Sequence, residues 1–303
     1  MLAADFPEWY VRIVALVVGA LFGSFFNVAI YRWPREMSVI SPPSHCPSCG
    51  APVKPWWNVP IFGYLFLRGK ARCCGAPLSP RYLVVEILGA VLGLAVAEHF
   101  FVNALPDREA LLAALDVSLY FAFVGGLVIA TFVDLEWMEI PDEVSLPLVA
   151  LGLASSPYRT GPEVVDLAVG AGVGFLLVQV VFVWSYEHLF GRRGMGEGDS
   201  KLLMAIGAFL GWQAVLFALV AGSMQGLVAT GVAMATGRSL TPTPPELGED
   251  DRQGDEPEDA ELEEDDDAPR MKLPFGPFLA LGALEWLFFG DRILDAYLGI
   301  LAP

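Results

Sequence analysis

The chain has 303 residues, 55% of them hydrophobic and 17% charged, with a formal net charge of −17. A composition this apolar excludes an ordinary soluble enzyme, and no nucleic-acid-binding patch is visible. The net charge reflects one segment: residues 241–270 hold fourteen Asp or Glu and two Arg.

Crossing a bilayer takes roughly 20 apolar residues per helix. Such spans must be helical, because lipid offers no partner to a bare backbone. Candidate spans in chain order are 11–31, 82–102, 114–133, 144–157, 164–184, 202–218, 219–236 and 274–299. The expected fold is all-α: a polytopic membrane bundle of about eight transmembrane helices, with six or seven as alternatives. The fourth span is short, and the sixth and seventh share one apolar stretch broken by Gly211-Trp212-Gln213. Asp5 and Glu8 precede the first run, while Arg32 and Arg35 follow it. That order predicts a retained helix rather than a signal peptide. Small residues recur at Gly89-x-x-x-Gly93, Gly207-x-x-x-Gly211 and Gly222-x-x-x-Gly226, a spacing that lets helices approach closely.

The segments follow from this pattern. Residues 1–31 form the first membrane helix and 32–81 a small cytoplasmic cysteine-rich domain. Residues 82–237 form a membrane core, 238–273 an acidic linker and 274–303 the last helix. With the N-terminus outside, loops 32–81, 185–201 and 237–273 hold all 18 Lys and Arg except Arg12, Arg108, Arg159 and Arg292. This bias matches the positive-inside rule and makes those loops cytoplasmic. The linker contains prolines and no aromatic residue, so it is expected to stay disordered.

All four cysteines lie in the first loop, on the reducing side, where disulfides are disfavoured. Cys46-Pro47-Ser48-Cys49 has the spacing of half a zinc knuckle. Cys73 and Cys74 are adjacent, and both reach one ion only through a tight bend, for which Gly75 is placed. The expected centre is a structural zinc on Cys46, Cys49, Cys73 and Cys74, with His45 as an alternative ligand. Free thiols are the competing reading.

Two carboxylates stand out further along. Asp199 lies in Gly194-Met195-Gly196-Glu197-Gly198-Asp199-Ser200-Lys201, after three alternating glycines and before an apolar run. Helix capping is its ordinary role, but the glycines suggest a backbone that something approaches closely, with Gly196 and Gly198 as the substrate-approach positions. Asp134 ends another apolar run, where the helix dipole disfavours a negative charge. Asp142, after Ile140-Pro141, is expected to be a plain N-cap. If Asp134 and Asp199 meet at ~4 Å, their charges repel by about 4 kcal/mol at an effective dielectric near 20. One proton is then shared, the arrangement in which one carboxylate takes a proton from water while the other polarises a carbonyl.

These motifs resemble the bacterial type IV prepilin peptidases, GxGD-type membrane aspartyl proteases. The resemblance runs through Gly23-Ser24-Phe25-Phe26-Asn27-Val28-Ala29-Ile30-Tyr31-Arg32, the Cys46-x-x-Cys49 loop, Asn58-Val59-Pro60 and Arg68-Gly69-Lys70. It continues through Ser79-Pro80-Arg81-Tyr82, Glu86, Asp134 with Ile140-Pro141-Asp142, and Gly196-Glu197-Gly198-Asp199-Ser200-Lys201. It implies that 82–237 is an aspartyl protease core with Asp134 and Asp199 as its catalytic pair. It also implies cleavage of prepilin and pseudopilin leaders at the cytoplasmic face of the inner membrane. The long loop implies the bifunctional form, which N-methylates the new N-terminus with S-adenosylmethionine; no cofactor fingerprint assigns its binding residues. Ala71 stands where the family's second Cys-x-x-Cys pair would begin. The alternatives are a peptidase without methylation, a transporter using interfacial carboxylates, and a zinc-bearing scaffold.

Overall fold

The computed structural model describes residues 1–104, 107–191, 195–237 and 273–301, and is helical with no strand among them. Gly194 and the acidic linker up to residue 272 lie outside the described residues. The helices are α1 (Glu8–Arg32), α2 (Phe62–Phe66), α3 (Arg81–Ala97), α4 (Ala110–Trp137) and α5 (Asp142–Ser155). They continue with α6 (Val164–Leu176), α7 (Tyr186–Phe190), α8 (Glu197–Leu210), α9 (Trp212–Thr236) and α10 (Gly276–Leu301).

Five stretches among the described residues are long and apolar enough to cross a membrane: Glu8–Arg35, Arg81–Val102, Ala110–Trp137, Val164–Leu189 and Trp212–Thr236. α10 adds a helix of 26 residues. α5 and α8 have 14 residues each, about 21 Å of rise against a hydrocarbon core of about 30 Å. The apolar run around Gly211 divides earlier than expected. Gly211 adopts φ +85°, α8 stops at Leu210, and Trp212 opens a helix that continues unbroken to Thr236. Residues 212–218 therefore belong with 219–236.

Glycine sets the closest crossings. On α1, Gly19 and Gly23 oppose Gly89 and Glu86 of α3; a Cβ on Gly23 would lie 2.8 Å from Glu86 Cα. On α8, Gly207 leaves room only for the backbone of Gly170 on α6. Close backbone contact supplies the dispersion that lipid-solvated helices otherwise lack. The core between these pairs is aromatic, with Phe123 of α4 stacked on Phe209 of α8 at 4.6 Å between centroids.

α4 threads this core and joins two polar ends. Near its start the buried Asp116 accepts from Arg108 Nη2 at 2.7 Å and from the Thr160 N–H at 2.8 Å. Eighteen residues on, at a rise of about 27 Å, lies Asp134.

Candidate active site and cysteine centre

Asp134 occupies the last turn of α4 and is 6% exposed. The helix ends because Met138 takes a left-handed conformation, φ +57°, and returns its N–H to the Asp134 carbonyl at 3.0 Å. The chain then turns through Ile140-Pro141 into α5. The Asp134 carboxylate accepts the N–H of Gly276, the first residue of α10, at 2.8 Å.

Asp199 is the third residue of α8, with Gly196 at the N-cap position. Its carboxylate turns back and accepts the Gly196 N–H. That is a capping role in part, made from inside the helix. The N-terminal end of the helix dipole favours this charge. The charges of Asp199 and Asp134 act on each other, and both side chains line one cavity of about 540 Å³.

The glycines beside Asp199 differ in their surroundings. Among the described residues, a Cβ on Gly196 would meet only Asp199 Oδ2, at 3.5 Å. A Cβ on Gly198 would meet Ile140 Cβ at 2.9 Å. Gly198 thus lets the start of α8 lie against the α4–α5 turn, whereas Gly196 is less closely packed among the described residues. Asp142 is not the N-cap of α5: Pro141 holds that position, and Asp142 accepts from Lys201 Nζ at 2.5 Å. The pair ties the starts of α5 and α8 together. Among the described residues the cavity is lined by the acids Glu36, Asp134, Glu139, Asp142, Glu143, Glu197 and Asp199 and by the cation Lys201.

The motif reading missed Gly276. Its contact with Asp134 spans 142 positions in sequence, and the Phe275-Gly276-Pro277 segment carries no titratable group.

The cysteines form a separate cluster. One Sγ from each of Cys46, Cys49, Cys73 and Cys74 lies within 4.8 Å of the others. Cys49 and Cys73 are 3.3 Å apart, Cys46 and Cys74 3.8 Å, and Cys73 and Cys74 3.9 Å. Zn–S bonds of about 2.3 Å in a tetrahedron place sulfurs about 3.8 Å apart, so the set fits such an ion. Two like hairpins build it. Cys46 N–H bonds Ala51 O at 2.8 Å and Gly50 N–H returns to Cys46 O at 2.9 Å; Ala71 and Gly75 repeat both bonds at 2.8 Å. Gly50 and Gly75 share φ near +70° (+68° and +74°). Ala71 therefore occupies the place of Cys46 in the second hairpin, Cys74 that of Cys49, and Cys73 that of Ser48. His45 lies outside the cluster, its Nδ1 facing the Pro43 carbonyl at 3.2 Å.

Burial raises the Cys46 thiol, but N–H groups of Ser48 and Cys49 outweigh it and hold the pKa at about 6. Hydrogen bonding to Cys49 and then Cys46 pushes Cys73 up to about 12. One thiolate braced by neighbouring thiols is the state from which metal binding expels protons.

Residues 17–100 match the model of the bacterial peptidase A24 N-terminal domain, and residues 121–231 that of the type IV leader peptidase family. A prepilin leader peptidase/N-methyltransferase of Aeromonas hydrophila is 33% identical, over 98% of this chain and 97% of its own. One from Myxococcus xanthus is 34% identical over 92% and 91%, and one from Stutzerimonas stutzeri 30% over 94% and 92%. No solved structure matches the chain. Nearly full-length similarity at this level, with both domains in order, shows that the chain belongs to the type IV leader peptidase family.

Proposed function

We propose that this protein is a multi-pass inner-membrane aspartic endopeptidase that cleaves the leaders of type IV prepilins and pseudopilins and N-methylates the new N-terminus. The carrying observation is that Asp134 and Asp199, 65 positions apart, line one cavity where α4 ends and α8 begins. In the proposed reaction one carboxylate, ionised, removes a proton from water as its oxygen attacks the scissile carbonyl. The other, protonated, donates to the carbonyl oxygen. Collapse of the tetrahedral diol breaks the C–N bond: the departing amine takes the proton that the first carboxylate drew from water, and the second carboxylate takes back a proton from the diol.

Substrate geometry supports this assignment. A prepilin presents a cationic leader followed by an apolar helix. The helix stays in lipid while the leader enters a cavity in which, among the described residues, carboxylates outnumber cations. The scissile bond then lies at the membrane edge, on the cytoplasmic side by the charge distribution of the loops. Cys46, Cys49, Cys73 and Cys74 would hold zinc, which as a four-thiolate site supplies folding stability to the domain 32–81 and leaves no open position for chemistry. S-adenosylmethionine supplies the methyl group of the second reaction.

Asp134→Asn and Asp199→Asn test the assignment in membranes, with a purified prepilin as substrate. Each should lower kcat for leader cleavage by about 10²–10⁴-fold, the range for a lost acid or base. Near-normal processing by either variant removes that aspartate from the reaction.

A further inference from the structure

A second cavity, of about 590 Å³, lies on the other flank of the α1 C-terminus, between the membrane helices and the cysteine loop. Its size suits a nucleoside-sized ligand. The helices contribute Asn27 and Tyr31 from α1 and Tyr82 and Glu86 from α3; the loop contributes Trp57 and Tyr64.

The polar groups of this cavity are fixed by their surroundings. Asn27, 2% exposed, donates its amide N–H to Tyr82 O at 3.0 Å and Gly23 O at 3.4 Å. Those two bonds set the amide orientation and leave Oδ1 without a partner. Native proteins rarely leave such an atom idle. Glu86, 8% exposed, accepts the Ile61 N–H at 2.6 Å. Ile61 adopts φ +64° and ψ −56°, a conformation that β-branched residues avoid. It is closed by a hydrogen bond from Phe62 N–H to Pro60 O at 2.6 Å. Strain of this kind persists where the surroundings over-determine it. Here it brings the loop onto Glu86.

Of the charged side chains lining the cavity, Glu86 is acidic and Arg32, Lys54 and Arg72 are basic, a mixture that suits a ligand carrying both signs of charge. Arg32 is occupied by the carbonyls of Ser38 at 2.8 Å and Pro42 at 2.6 Å. The tryptophan faces already attract cations: Lys54 lies 5.4 Å from the Trp56 ring and Arg72 5.9 Å from that of Trp57. Aromatic faces beside a buried carboxylate are the chemistry that recognises a sulfonium.

We propose that this cavity is the S-adenosylmethionine site, with Glu86 and the aromatic walls, Trp57 among them, holding the charged end of the cofactor. The assignment rests on the methyltransferase reading above. Binding is measured by calorimetry on the full chain in lipid nanodiscs, with S-adenosylmethionine and with S-adenosylhomocysteine, which lacks the sulfonium charge. Glu86→Gln keeps an acceptor for Ile61 and removes the charge. It should weaken S-adenosylmethionine about tenfold, leaving S-adenosylhomocysteine within about twofold. Trp57→Ala should weaken both, and Trp57→Phe should restore most of the loss; thermal melting in the same nanodiscs confirms folded protein.

Two results overturn the proposal in distinguishable ways. If the wild type binds the cofactor and methylates a cleaved pilin peptide by mass spectrometry, while Glu86→Gln and Trp57→Ala bind like wild type, the site is elsewhere. If the wild type cleaves leaders but neither binds the cofactor nor methylates, the methyltransferase reading falls, and this site with it.

Discussion

At the residue scale, Asp134 ends a helix whose last carbonyls oppose its charge. The Gly276 N–H answers it, and only glycine fits: an added Cβ would lie 2.8 Å from Asp134 Oδ2 and 3.2 Å from Ile140 Cδ1. Gly276→Ala is therefore expected to displace the carboxylate and lower kcat for cleavage about tenfold or more, the loss of one charge-assisted hydrogen bond. Gly198→Val should act similarly by prising α8 from Ile140. Wild-type kcat in either variant shows that the contact it disrupts does not position the acids. The cysteine cluster has its own signature in pH. Zinc binding must expel the protons these thiols still hold, so zinc retention should weaken as pH falls. Dialysis at stepped pH followed by elemental analysis measures it; retention that does not change with pH removes the thiols as the ligands.

At the element scale, the two short helices matter more than their length suggests. α5 and α8 both begin at the cavity, joined there by Lys201 and Asp142. The positive ends of these helices steady the carboxylates beside them, and among the described residues seven carboxylates line the cavity, a field suited to a cationic leader. The KM for a prepilin should accordingly rise several-fold as salt increases from about 0.01 to 0.15 M, as the Debye length shortens from about 30 to 8 Å. A salt-independent KM assigns leader recognition to apolar contacts. Much at this scale was legible in the sequence. Cys46-x-x-Cys49, Asp134 and Asp199 are marked by residue type and by near neighbours, and apolar runs mark the long helices. The α8–α9 boundary was less legible, because apolarity continues across it and the break depends on one glycine at positive φ. Gly276 was hidden because its role is a contact across most of the chain. The position of Ala71 was readable, but not that Cys73, in the place of Ser48, still reaches the cluster.

At the scale of the whole molecule, the end of α1 is a partition between two rooms. Tyr31 and Arg32 face the cavity under the cysteine loop; Trp33, Pro34 and Glu36 face the one holding the aspartates. Neighbouring residues along one helix end thus border both proposed reactions. A pilin freshly cut keeps its apolar helix in the bilayer, and its new amine needs only to slip sideways around this post. The second step then competes with lateral escape rather than with release into water. Commitment becomes the measurable quantity. In nanodiscs or native membranes, labelled prepilin chased with excess unlabelled cleaved pilin should be methylated on nearly every labelled chain. If the chase lowers the methylated fraction of the labelled chains in proportion to its excess, the products exchange through the bilayer between steps, and the shared wall confers no kinetic advantage.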